Sequence, residues 1–107
     1  MVYEYIAKII NVVDGDTVDA EIDLGFSIKV TDRFRIKDID APEKRGIERP
    51  EGLVSTDWLI DRILGKEVII KTYKKGKYGR YIAEIFLDDV NIGMEMVEQK
   101  MAEFHEY

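Results

Sequence analysis

The chain has 107 residues, 46% of them apolar and 36% charged, which is enough Ile, Val, Leu and aromatic side chains for one hydrophobic core and too few for two. It is read as one self-folding domain over residues 1–107, and its net charge of −6, from 16 Lys and Arg against 22 Asp and Glu, argues against a general nucleic-acid coat protein. It has no cysteine and a single histidine, His105, which excludes disulfides, zinc–thiolate centres, thiol nucleophiles and histidine-rich sites, so any metal must take oxygen ligands.

Met1 to Ile10 carry Glu4 and Lys8 and no long apolar run, so the segment predicts a strand, at about Tyr3 to Val13, and no signal peptide or membrane anchor. A cytoplasmic monomer without membrane contact is the corresponding expectation. Val18, Ala20, Ile22 and Leu24 alternate with Asp19, Glu21 and Asp23, the period of a strand with one wet face. Phe26, Ile28 and Val30 continue the alternation after Gly25, which places a hairpin turn at Leu24-Gly25-Phe26 and makes three strands of a meander. Further strands are predicted at about Phe34 to Ile39, Glu67 to Tyr73 and Tyr81 to Leu87. Thr56, Ile60, Ile63 and Leu64 recur at helical spacing, predicting a helix over about 53–64 with Gly65 as its left-handed terminator. Met94, Val97 and Met101 mark a second helix, with Asn91 as its N-cap. The order fits a β-rich α+β fold, a five-stranded Greek-key OB-fold barrel with two packed helices.

The charges are unevenly spread. Lys71 to Tyr81 reads KTYKKGKYGRY, with Lys71, Lys74, Lys75, Lys77 and Arg80 and no acid, whereas the acids crowd toward the C-terminal end. A cationic cleft therefore coexists with an acidic total. Three motifs stand out: Asp14-Gly15-Asp16-Thr17, RIKDIDAPE from Arg35 to Glu43, and Lys77-Tyr78-Gly79-Arg80. Each alone reads as an ordinary turn, with Gly15 expected to supply a positive φ in the first. Together, in one small β-rich domain, they bring carboxylates and arginines to strand ends, where side chains converge.

Asp16 and Asp40 offer the hard oxygens that Ca²⁺ accepts in flexible coordination completed by carbonyl and water. Glu43, three residues past Asp40 and beyond the rigid Pro42, is placed to hold a water near such an ion. Arg35 falls between Phe34 and Ile36, so burial of those two turns its guanidinium to the other face. Guanidiniums from Arg35 and Arg80 suit bidentate grip of a phosphodiester and its transition-state charge. Lys74 and Lys75 extend the cationic surface for a polyanionic strand. Tyr73, Tyr78 and Tyr81 suit either stacking on bases or packing, and Trp58, His105 and the methionines suit packing or no role.

From about Ala7 to Phe104 these motifs resemble the staphylococcal nuclease family. The resemblance implies that Asp16 and Asp40 bind Ca²⁺, with the backbone carbonyl of Ala41 as a further contact, Ala41 standing where the best-known member has Thr. It implies Glu43 as general base, Arg35 and Arg80 as phosphate-binding arginines, and Lys77 and Tyr78 as contacts to a terminal phosphate. The implied activity is Ca²⁺-dependent endo- and exonucleolytic cleavage of DNA or RNA to leave 3′-phosphate ends. The alternatives are a catalytically silent barrel of the same kind that binds nucleic acid or a protein, and a single-strand-binding barrel. A metal-free binder has no use for three carboxylates around a polyanion.

Overall fold

Val18, Ala20 and Ile22 are buried on the same face as Ala7, Ile9 and Val12, so two alternating segments commit to one sheet with one dry side. The computed structural model describes residues 3–42, 49–75 and 81–106. In chain order its elements are β1 (Tyr3–Asp14), β2 (Thr17–Asp23), β3 (Lys29–Ile36), β4 (Ile39–Asp40), α1 (Arg49–Ile63), β5 (Glu67–Lys75), β6 (Tyr81–Leu87), β7 (Val90–Asn91), α2 (Ile92–Glu98) and β8 (Glu103–Phe104). β1 pairs with β2 along one edge and with β5 along the other, helped by two register shifts, at Ile9/Asn11 and Val12/Asp14, that bend it. β5 pairs with β6, and β6 returns to lie parallel to β3 along Phe34–Ile36. That last pairing closes a five-stranded mixed barrel, the OB-fold architecture expected of the sequence.

Four details differ from the sequence expectation. First, Phe34 to Ile36 do not begin a new strand; they end β3, which runs unbroken through Thr31, Asp32 and Arg33 because those residues pair with Glu21, Ala20 and Asp19. Residues 37–38 then turn, with Asp38 at φ 62°, before the short β4. Second, the hairpin turn is centred on Phe26 and Ser27, where the Ile28 N–H donates to the Gly25 carbonyl at 2.9 Å, and the apolar run Phe26, Ile28, Val30 is exposed.

Third, α1 starts at Arg49, and the side chains it buries are Ser55, Thr56, Leu59 and Ile63, with Leu64 outside the helix and exposed. Gly65 does take the left-handed conformation, φ 76°, and its N–H donates to the Ile9 carbonyl at 2.8 Å, tying the end of α1 to β1. Fourth, α2 ends at Glu98 and buries Ile92 and Met96, while Met94, Val97 and Met101 are half-buried. Asn91 caps it as expected, its Oδ1 accepting the Met94 N–H at 3.2 Å. Among the described residues no helix is long and apolar enough to cross a membrane.

Candidate active site

The β1–β2 turn consists of Gly15 and Asp16, and its shape follows from packing, not from glycine's conformational freedom. Gly15 is outside the left-handed region. A Cβ at that position would lie 2.2 Å from Ser55 Oγ and 2.9 Å from the Ala41 Cβ, so only glycine lets the turn rest against α1 and the β4 exit. Ser55 is itself held, its hydroxyl donating to the Met101 carbonyl at 2.7 Å.

Pressed into that corner, Asp16 is buried, with 6% of its surface exposed. A buried carboxylate needs donors, and three converge on it. Oδ2 accepts the Ala41 N–H at 3.1 Å and sits 3.1 Å from Arg35 Nη1, while Oδ1 accepts the Thr17 hydroxyl at 3.0 Å. Arg35 projects from β3 between the buried Phe34 and Ile36, and the β2–β3 register sets it directly opposite Thr17. Its Nη2 donates to the Ile39 carbonyl at 3.2 Å and reaches Asp40 Oδ1 at 3.5 Å. One guanidinium thus spans two carboxylates, one buried and one exposed, leaving the cluster with a surplus negative charge.

This donor set fits a hard cation held loosely. Asp40 has 60% of its side chain exposed and, among the described residues, reaches Arg35 at 3.5 Å. Asp16 and the Ala41 backbone adjoin it through one hydrogen bond. No group of three or more His, Cys, Asp or Glu side chains forms a metal cage among the described residues. An open cleft of about 620 Å³ begins at Asp40 and Ala41 and runs along Pro42, Met101 and Phe104, giving the carboxylate access to a large ligand.

Glu43, Lys77, Tyr78 and Arg80 lie outside the described residues, and of Lys74 and Lys75 only the backbone in β5 is described. Tyr81 packs its ring against Phe34, with centroids 6.2 Å apart, and the Tyr73 hydroxyl donates to Glu84. His105 is exposed, and its backbone N–H donates to the Asp38 carbonyl at 2.9 Å. Sequence reasoning missed Ser55, which shapes the Asp16 turn from α1; only its helical offset of four from Leu59 hinted at burial.

Residues 33–107 match the family described as staphylococcal nuclease homologue, a span that carries Arg35, Asp40, Ala41 and Glu43 and also Lys77, Tyr78 and Arg80, with Asp16 preceding it. Among curated proteins, the chain is 29% identical over 100 residues to an "Uncharacterized endonuclease" of Escherichia coli, covering 92% of this chain and 60% of that protein. It is 35% identical over 95 residues to an "Uncharacterized endonuclease" of Haemophilus influenzae, covering 89% and 49%. A "Probable endonuclease LCL3" of Candida glabrata is 39% identical over 75 residues, covering 64% and 29%. The chain therefore spans about half to three fifths of the length of the two bacterial relatives. With a barrel of the expected closure and most of its length matched, the chain belongs to the staphylococcal nuclease homologue family.

Proposed function

We propose that the protein is a Ca²⁺-dependent nuclease that hydrolyses phosphodiester bonds of DNA or RNA and leaves 3′-phosphate ends. The observation that carries the reading is the placement of Arg35 between buried Asp16 and exposed Asp40, the second of which lines an open cleft. The endonuclease names of the relatives agree with it. Asp16 and Asp40, with the Ala41 carbonyl, would hold the ion. When bound, Ca²⁺ supplies Lewis-acid polarisation of a phosphoryl oxygen and orients water.

The protein's own groups do the rest. Arg35, anchored by the Ile39 carbonyl and by Asp16, presents a planar fork that needs little reorganisation to meet the charge growing on the equatorial oxygens. Arg80 shares that task. Glu43 takes the proton from the attacking water as its oxygen bonds to phosphorus, and the O5′ leaves with the bonding pair and takes a proton from solvent water. Lys77 and Tyr78 hold the terminal phosphate, while Lys74 and Lys75 lead the polyanion in despite the net charge of −6.

The test is incubation of plasmid and heat-denatured DNA with the protein in Ca²⁺ and in excess chelator, with mapping of the new ends. Cleavage in Ca²⁺ alone, half-maximal at ~10⁻⁴–10⁻³ M as suits a site with few fixed ligands, and 3′-phosphate ends are expected. Undiminished cleavage in chelator removes the metal. Binding without cleavage in Ca²⁺ instead identifies the chain as a silent nucleic-acid-binding barrel.

A further inference from the structure

The pairing of β5 with β6 carries one irregularity. Thr72 lies opposite Ala83 and Lys75 opposite Tyr81, so three steps along β5 match two along β6. The extra residue is a β-bulge, which bends the strand locally. We infer that Glu84 is a positioning residue that fixes this bulge relative to the turn that leads to Asp40. The inference rests on the nuclease reading above.

Tyr73 sits in the bulge, and its hydroxyl donates to Glu84 Oε1. The other carboxylate oxygen, Oε2, accepts from Asn91 Nδ2 at 3.2 Å, and Asn91 in turn caps α2 through the Met94 N–H. From the opposite side, Lys37 lays its ammonium 5.2 Å from the centre of the Tyr73 ring, bonds Asp38 Oδ2 at 2.6 Å, and donates its backbone N–H to the Ala83 carbonyl at 2.9 Å. Lys37 and Asp38 form the turn between β3, which bears Arg35, and β4, which bears Asp40.

Glu84 is thus the carboxylate at which the bulge and the cap of α2 meet, and Tyr73 joins it to the Asp40 turn. The same hydrogen bond, and then burial, push the ionisation of the Tyr73 phenol up to about 12. A shift of about 1 Å in a reacting group's partner costs on the order of 100-fold in rate, so a loosened hold on the turn before Asp40 is felt in turnover.

The experiment compares wild type with Glu84→Ala, Glu84→Gln, Asn91→Asp and the double variant Glu84→Gln/Asn91→Asp. The double variant reverses the donor and acceptor of the second hydrogen bond, keeps an acceptor for Tyr73 and keeps an N-cap for α2. Turnover and KM are read on single-stranded DNA in Ca²⁺, affinity for a labelled oligonucleotide in chelator, and tyrosine ionisation by ultraviolet titration. All are measured well below each thermal midpoint. Glu84→Ala should lower turnover by about 10- to 100-fold, weaken oligonucleotide affinity several-fold and lower the highest tyrosine ionisation. The double variant should recover most of what either single change loses.

Unchanged turnover and affinity in Glu84→Ala, with only a lower thermal midpoint, would reduce Glu84 to a stability residue and overturn the inference. If wild type binds but does not cut, the nuclease proposal fails separately, and the affinities of the variants still decide the positioning role. A wild type that neither cuts nor binds overturns both.

Discussion

The β2–β3 ribbon has two ends built on one alternating pattern, and they meet opposite fates. At one end Thr17 faces Arg35, β6 joins β3 along Phe34–Ile36, and α1 presses on Gly15; Phe34 and Ile36 are buried and so is Asp16. At the other end Asp23 faces Lys29, no further described strand pairs with β3, and Phe26 is 97% exposed with Leu24, Ile28 and Val30 also in contact with water. Alternation thus specifies which face a side chain takes, while burial depends on whether a third element arrives to cover that face. Where the third element arrives, the carboxylate of Asp16 and the guanidinium of Arg35 are each held by several partners.

The largest effect expected from disturbing this contrast is at Arg35. Lysine keeps the charge but loses the planar fork that spans Asp16, the Ile39 carbonyl and Asp40 at once. Arg35→Lys should lower turnover by on the order of 10²–10³-fold, the scale of losing one preorganised donor, with much smaller loss of substrate affinity. Turnover and inhibitor affinity measured side by side decide the matter. Equal losses in both would make Arg35 a phosphate anchor and not a transition-state group.

Much of this was legible in advance, and the failures have physical causes. Gly65 and Asn91 were readable because helix termini impose local chemistry on single residues. DGDT and the turn after Arg35 were readable as neighbours because short turns between alternating segments lie at strand ends. The continuity of β3 was hidden because Thr31, Asp32 and Arg33 look like a polar break. Yet Arg33 bonds Asp19 across the ribbon at 2.7 Å and holds that carboxyl below its usual range, which is what a wet strand face does. The start of α1 was hidden by Pro50, which reads as a break yet suits a first helical turn, where its missing N–H costs nothing. The link from Tyr73 through Glu84 to Asn91 has no sequence period, since it joins two strands and a helix cap.

A second, smaller effect separates the two glycines of the ribbon. At Gly15 the backbone is ordinary but the space is full; at Gly25 a Cβ meets nothing within 4 Å but φ is +79°. Gly15→Ala should cost about 1–3 kcal/mol as overpacking, because Ser55 Oγ cannot step aside without giving up the Met101 carbonyl, and it should also disturb Asp16 and lower activity. Gly25→Ala should cost about 1 kcal/mol through backbone conformation alone and leave activity intact. Denaturant midpoints and initial rates for the two variants test the distinction. Equal activity in both would mean that the Asp16 turn absorbs the added methyl group.

The smallest effect, and one of opposite sign, is expected at the tip itself. Phe26 and Ser27 occupy the central positions of a hairpin turn with φ 53° and 61°, where both residues must be left-handed. Asparagine and glycine suit those positions, whereas an aromatic side chain there is held in a conformation it disfavours. Removing Phe26 forfeits almost no burial, since nothing in the fold covers its ring. Replacing the pair by Phe26→Asn and Ser27→Gly should therefore stabilise the protein by up to about 1 kcal/mol, worth a few degrees in Tm for a domain of this size, with turnover unchanged. A thermal melt and a rate measurement suffice. If the double variant lost stability, or if its activity fell, the tip would have to be making contacts that an exposed turn does not make. The contrast between the anchored and free ends of the ribbon would then be wrong at its free end.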